Sequence, residues 1–261
     1  MTYATEYPKP IRLSVKSRIS ALLLSCFALS VPAQQTAAQD QPMPYPVVVE
    51  LFTSQGCSSC PPADALLMEL SKRDDILPLA LHVDYWDYIG WKDIFADPRF
   101  TERQRAYARS AGHRTIYTPQ MIVGGQDHIV GFKPMKLADL VTDHKRKLAD
   151  SRLDVSAVRS GDTLSIALNN TNAHPSDLHD LKVQVVGYRP HENVTIRVGE
   201  NAGKSIDYAN IVTSWMHVGD WDGASPLHLN ADISTADPVV VIVQQNVNGL
   251  PGEIMAALQV K

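Results

Sequence analysis

Cysteine is nearly absent from this chain: 261 residues hold three, at positions 26, 57 and 60. A basic excess is lacking too, with 24 Lys and Arg against 28 Asp and Glu, so the net charge is −4. An acidic chain is repelled by phosphate backbones and anionic membrane surfaces, which argues against nucleic acid as a partner. No zinc-ligand spacing, Walker loop, dinucleotide-binding glycine pattern or internal repeat occurs. The one long apolar stretch, Ile19 to Val31, falls short of the about 20 residues that a membrane span needs. What remains, 44% hydrophobic and 20% charged residues, suits globular folding and leaves room for one large or two modest domains.

That apolar stretch follows Lys9, Arg12, Lys16 and Arg18 and precedes the small-residue sites Val31-Pro32-Ala33 and Thr36-Ala37-Ala38. The pattern is that of a removable secretory signal over residues 1–38. Leu23-Leu24-Ser25-Cys26 is a poor lipid-attachment box because of the bulky Leu24, and Cys26 leaves with the signal. Removing residues 1–38 takes away four basic residues and one acid, and the net charge becomes −7. Residues 39–46, with three prolines, read as a linker.

The β-branched run Val47 to Thr53 suits a strand covered on both faces. A helix is predicted from Pro61, with Ala63, Leu66, Leu67 and Leu70 on one side, then a buried strand over Leu77 to Asp84. Asp97-Pro98 caps and opens a helix to about Ala111. Gly124-Gly125 between Met121-Ile122-Val123 and His128-Ile129-Val130 suits a tight hairpin, and a last helix runs from Pro134. After a boundary near Ser151 the pattern changes to short alternating stretches, among them Leu164 to Leu168, Val183 to Tyr188, Val194 to Val198, Pro238 to Val247 and Ile254 to Val260. Such spacing predicts an all-β sandwich-like domain over residues 151–261.

Cys57 and Cys60 stand in Gly56-Cys57-Ser58-Ser59-Cys60-Pro61-Pro62, between the first strand and the first helix. With Cys26 removed they carry whatever sulfur chemistry the chain performs. A helix N-terminus, with its unpaired N–H groups and partial positive charge, favours a thiolate. No Lys, Arg or His lies between or beside the pair, and Asp64 follows closely. Pro61 pushes Cys60 away from helical dihedrals, so Cys60 reads as an N-cap. A passive disulfide is a competing reading, although closing a loop of about four residues constrains the unfolded chain by only roughly 2 kcal/mol. Soft-metal binding, Cu(I) in particular, is another, with two thiolates making half a site.

Strand, Cys-x-x-Cys, helix, then a hairpin entered through Thr118-Pro119-Gln120-Met121-Ile122-Val123 resembles the thioredoxin fold over residues 47 to about 150. Glu50 to Cys60, His82-Val83-Asp84-Tyr85-Trp86-Asp87 and Thr118-Pro119-Gln120 are similar to a bacterial family of secreted thioredoxin-like proteins of unassigned function. The fold class expected is therefore α/β: a thioredoxin-like domain of order β-α-β-α-β-β-α followed by the all-β sandwich-like domain. The resemblance implies that Cys57 attacks a substrate disulfide and Cys60 resolves the mixed disulfide. It implies a cis Pro119 facing the pair, with Thr118 offering main-chain hydrogen bonds to a substrate strand. It also implies that Glu50 stands for the buried acid of thioredoxins; a plain strand-edge glutamate is the other reading.

If the first two strands are parallel, His82 and Asp84 lie on one face beside Cys57, where His82 tunes a thiol and Asp84 orients it. A core histidine and a helix-capping aspartate are the plainer readings. Tyr85, Trp86, Tyr88 and Trp91 are either core or the wall of a peptide groove. Arg99, Arg103, Arg105, Arg109 and Arg114 read as a solvated face, and Gly219-Asp220-Trp221-Asp222-Gly223 as a turn. The sequence thus predicts a secreted or periplasmic thiol–disulfide oxidoreductase acting on protein thiols and disulfides, without cofactor or metal and without a membrane span in the mature chain. A redox-inert scaffold and a soft-metal carrier are the alternatives.

Overall fold

The computed structural model describes residues 45–171 and 178–260. The expected signal, Cys26 and most of the proline-rich lead-in lie outside the described residues. The chain runs β1 (Val47–Thr53), α1 (Pro61–Leu70), β2 (Ile76–His82), α2 (Pro98–Ser110), β3 (Gln120–Val123), β4 (Asp127–Val130) and α3 (Pro134–Ala149). It continues as β5 (Leu153–Ser160), β6 (Thr163–Asn170), β7 (Leu181–Thr195), β8 (Ser205–Trp221), β9 (Leu227–Asp232), β10 (Val239–Val247) and β11 (Leu250–Val260).

Prolines and caps set the helix starts. Pro61 and Pro62 open α1, and the Asp97 side chain accepts from the Arg99 N–H at the head of α2. Gly124 and Gly125 turn between β3 and β4 with φ of 58° and 76°. A side chain at Gly124 would strike the His144 ring, and one at Gly125 the Gly252 carbonyl.

The fold class expected from the sequence is overturned. The molecule is β-rich, with one mixed eight-stranded sheet of order β11-β10-β7-β8-β2-β1-β3-β4 and a second, three-stranded sheet β5-β6-β9. It is not a thioredoxin-like domain followed by a sandwich. β1 pairs in parallel with β2 and antiparallel with β3, and β2 then pairs in parallel with β8 at Ala80 and Ile211. Through β8 the sheet continues into β7, β10 and β11, all antiparallel. The junction is short for a local reason. Pro78 of β2 has no N–H to give, and the side-chain amide of Asn210, itself at φ 46°, donates to the Pro78 carbonyl at 2.9 Å.

Alternation along the strands sends side chains to two covered faces. Val47, Val49 and Leu51 of β1 join Ala63, Leu67, Leu137 and Val141 of α1 and α3. Val48 and Phe52 face Phe100 and Tyr107 of α2, in a cluster that reaches Val240 and Ile242 of β10. Val239, Val241 and Val243 turn the other way, onto Leu164, Ile166 and Leu168 of the small sheet. β10 is covered on both sides, hence its unbroken run of apolar residues.

Candidate functional site

The site forms where β1 ends. Thr53 is the last residue of β1, and the turn after it is tied by the Cys57 N–H to the Ser54 carbonyl at 3.1 Å and the Cys60 N–H to the Cys57 carbonyl at 3.2 Å. The Cys60 carbonyl then accepts from Ala63 and Asp64 and starts α1. Cys60 is the N-cap, but its dihedrals, φ −79° and ψ −34°, are helical. The expectation that Pro61 drives it out of the helical region is wrong here, because those two hydrogen bonds hold the turn closed.

Cys57 and Cys60 form a disulfide, with Cα atoms 5.4 Å apart. Both residues have 0% exposure, whereas Ser58 and Ser59 between them are exposed. The Ser59 hydroxyl lies 3.4 Å from Cys57 Sγ and 3.5 Å from the Thr118 carbonyl, so the Thr118–Pro119 peptide, which is cis, borders the dithiol turn.

The segment after β2 covers the turn. The Trp86 indole N–H donates to the Thr118 hydroxyl at 2.8 Å, and Tyr88, 81% exposed, stacks on the Trp86 ring. A β-carbon at Gly56 would stand 3.0 Å from that of Trp86, so this approach depends on glycine. Trp91 donates to the Gln55 side-chain carbonyl at 2.7 Å.

A third contribution comes from the connection between β7 and β8. The buried side-chain amide of Asn201 donates to the main-chain carbonyls of Gln55 and Cys57, each at 2.9 Å, and its own oxygen accepts from Lys204 Nζ at 2.8 Å.

Behind the disulfide lies a buried polar group. The Thr53 hydroxyl donates to Asp64 Oδ1 at 2.7 Å, and His82 Nδ1 meets Asp93 Oδ2 at 2.7 Å. Asp93 also accepts from the Gln55 N–H, which fastens the pair to the dithiol turn. Among the described residues Asp64 Oδ2, His82 Nε2 and the Tyr208 hydroxyl have no hydrogen-bond partner. Burial pushes the Asp64 carboxyl up to about 7, against the opposing pull of His82 and Thr53. Burial pulls His82 down, but the Asp93 carboxylate outweighs it and the net direction is up. Asp93, for which burial acts upward, is held low by the charge and hydrogen bond of His82.

The residues singled out from the sequence separate into two places. Cys57, Cys60, Thr118, Pro119 and Trp86 come together. Glu50 does not join them. It is fully buried on the α2 side of β1, gripped by Arg103 Nε at 2.7 Å and Nη2 at 3.2 Å, with the Tyr107 hydroxyl donating to it. Arg103 is accordingly no member of a solvated face: its side chain is 13% exposed and lies 3.7 Å over the Trp215 ring. His82 is buried and oriented by Asp93 rather than by Asp84, whose carboxylate accepts from the Thr101 hydroxyl on α2. Sequence reasoning missed Asp64 as part of the site, although its place one helical turn past Cys60 was a usable signal. Asp93, Asn201, Lys204 and Tyr208 carried none.

The arrangement thus sets a buried disulfide at the first turn of α1, with the buried carboxyl of Asp64, raised to about 7, on the same helix. Among the described residues no group of three or more His, Cys, Asp or Glu is placed to hold a metal ion, and no helix is long and apolar enough to cross a membrane.

A family model described as "Protein of unknown function (DUF1223)" matches residues 48–244. A protein of Agrobacterium tumefaciens, solved by X-ray crystallography in a structural genomics programme, is 34% identical with a TM-score of 0.70, over 82% of this chain and 93% of that one. HBP35 of Porphyromonas gingivalis shares the fold with a TM-score of 0.57 at 15% identity, over 84% of this chain and 75% of that one. No curated protein matches.

Proposed function

Since the chain belongs to the DUF1223 family of proteins of unknown function, its activity has to be read from its own site, and we propose that it exchanges electrons between the Cys57–Cys60 disulfide and the thiols of other proteins. The observation that carries this reading is a disulfide closed across only four residues at the first turn of α1. So short a loop contributes little to stability, whereas the helix N-terminus favours the thiolate that exchange requires.

In the oxidising direction a substrate thiolate attacks Cys57 Sγ. The S–S bond breaks, its electron pair leaves on Cys60, and a mixed disulfide joins Cys57 to the substrate. A second substrate thiolate attacks the substrate sulfur of that bond and releases Cys57. The substrate has then lost two electrons, and its two thiol protons end on Cys57 and Cys60. Asp64, on the helix that Cys60 caps and raised to about 7 by burial, is the acid the fold offers for protonating the leaving thiolate. The reverse sequence reduces a substrate disulfide. Export, expected from residues 1–38, would place the pair where disulfides persist.

One observation supports a second reading, an inert disulfide in a binding scaffold: both cysteines are buried. Equilibration with glutathione redox buffers, followed by alkylation and mass measurement, separates the two. Exchange predicts a reversible midpoint for the native protein and loss of thiol transfer in Cys57→Ser. An inert disulfide predicts that the pair stays oxidised until the protein unfolds.

A further inference from the structure

The dithiol motif supplies no cation of its own, since serines fill its centre and no Lys, Arg or His adjoins it in sequence. The fold brings one from the connection between β7 and β8. Lys204 Nζ donates to Asn201 Oδ1 at 2.8 Å, and the same amide donates through Nδ2 to the carbonyls of Gln55 and Cys57. Asn201 is buried and so holds one orientation, whereas Lys204 reaches it from the surface. Among the described residues no carboxylate pairs with Lys204 within salt-bridge distance, although Glu69 and Asp207 line the same surface pocket beside Pro61. The other charged or titratable groups packed around the turn are Asp64 on α1, His82 at the end of β2, and Asp93 and Asp87 in the segment after it. Set against Asp64, Asp93 and Asp87, the ammonium of Lys204 is tied to the Cys57 carbonyl through the Asn201 amide.

We propose that Lys204 and Asn201 are positioning residues that carry a positive charge to the Cys57 end of the dithiol and so favour its thiolate. The physical chain is short. The ammonium polarises the Asn201 amide, the amide N–H withdraws charge from the Cys57 carbonyl, and a thiolate formed there meets a more positive surrounding than serines and peptide dipoles alone provide. Without the relay, the Cys57 carbonyl would keep more of its negative charge close to the developing thiolate. The inference rests on the exchange reading above and assigns to that site residues from the opposite half of the chain.

The test measures the pH dependence of alkylation of Cys57 by iodoacetamide in full-length Cys60→Ala protein, alone and combined with Lys204→Gln or Lys204→Arg. The expected result is an apparent thiol pKa raised by about 0.5 in the Gln variant, about threefold less thiolate at pH 7, with Arg restoring the original profile. In 1 M NaCl the difference between Gln and Lys shrinks, because Lys204 is exposed and screened. Identical profiles for Lys, Gln and Arg would overturn the inference and leave the exchange reading standing. A Cys57 that alkylates in none of the folded proteins would remove both.

Discussion

Trp86 donates its indole N–H to the hydroxyl of Thr118, 2.8 Å away, and thereby latches the segment after β2 to the residue before Pro119. The Trp86 side chain also lies against Gly56, one residue before Cys57. For a substrate thiol to reach a residue with no exposed surface, this cover has to open. Trp86→Phe keeps the apolar face and removes the donor. A lost hydrogen bond of about 1 kcal/mol makes opening about fivefold more frequent. Reduction of the disulfide by dithiothreitol in the Phe variant is therefore expected to be faster by about that factor at unchanged fold. An unchanged rate would show that the latch does not limit access.

The Glu50–Arg103 pair is expected to be structural. Arg103→Met leaves a fully buried carboxylate without its cation and removes the guanidinium stacked on Trp215. Loss of one partner of a buried pair costs about 3–5 kcal/mol. Urea unfolding should show that loss, while the glutathione midpoint of the dithiol stays at its original value. A moved midpoint with little loss of stability would instead return Glu50 to the exchange chemistry.

Asp64 sets a pH dependence of stability. Its carboxyl titrates near 3.8 in the unfolded chain and near 7 in the fold. Below about 4 both states are protonated, so the contribution is fully present and does not change with pH. As pH rises towards 7 the unfolded chain alone releases the proton, so stability falls by up to about 1.4 kcal/mol per pH unit, and the loss is complete above about 7. His82 acts in the same sense, since its raised folded value gives stability that is lost as pH climbs through it. Urea midpoints of oxidised wild type should fall between pH 5 and 7.5. Asp64→Asn retains an acceptor for Thr53 and should remove most of that slope. Equal slopes in the two proteins would contradict the assignment.

Local structure was legible in the sequence wherever neighbours in the chain determine it. Pro61-Pro62 and Asp97-Pro98 mark helix starts, Gly124-Gly125 marks a hairpin, and the apolar runs of β1, β2 and β10 mark buried strands. The sheet was not legible. Its continuation rests on Ala80 beside Ile211 and on Asn210 serving the carbonyl of Pro78, pairings across more than a hundred residues that leave no periodic trace. The alternating strands after residue 150 looked like a domain of their own because β7 and β10 have one face on the small sheet and the other on the α2 side. The site divided in the same way. Cys57, Cys60, Thr118 and Pro119 were readable from their motifs, whereas Asn201 reaches Cys57 from 144 residues away.

Trapping tests the central claim most directly. Full-length Cys60→Ala, with Cys57 as a free thiol, is incubated with an unfolded protein whose single cysteine is carried as a mixed disulfide with thionitrobenzoate, so that attack by Cys57 on the protein's sulfur releases thionitrobenzoate, and is then separated without reductant. The exchange account predicts a mixed disulfide through Cys57 that Cys57→Ser abolishes and that wild type, with Cys60 present, resolves. A folded Cys60→Ala protein that forms no adduct, with its Cys57 thiol inaccessible to alkylation, would contradict it.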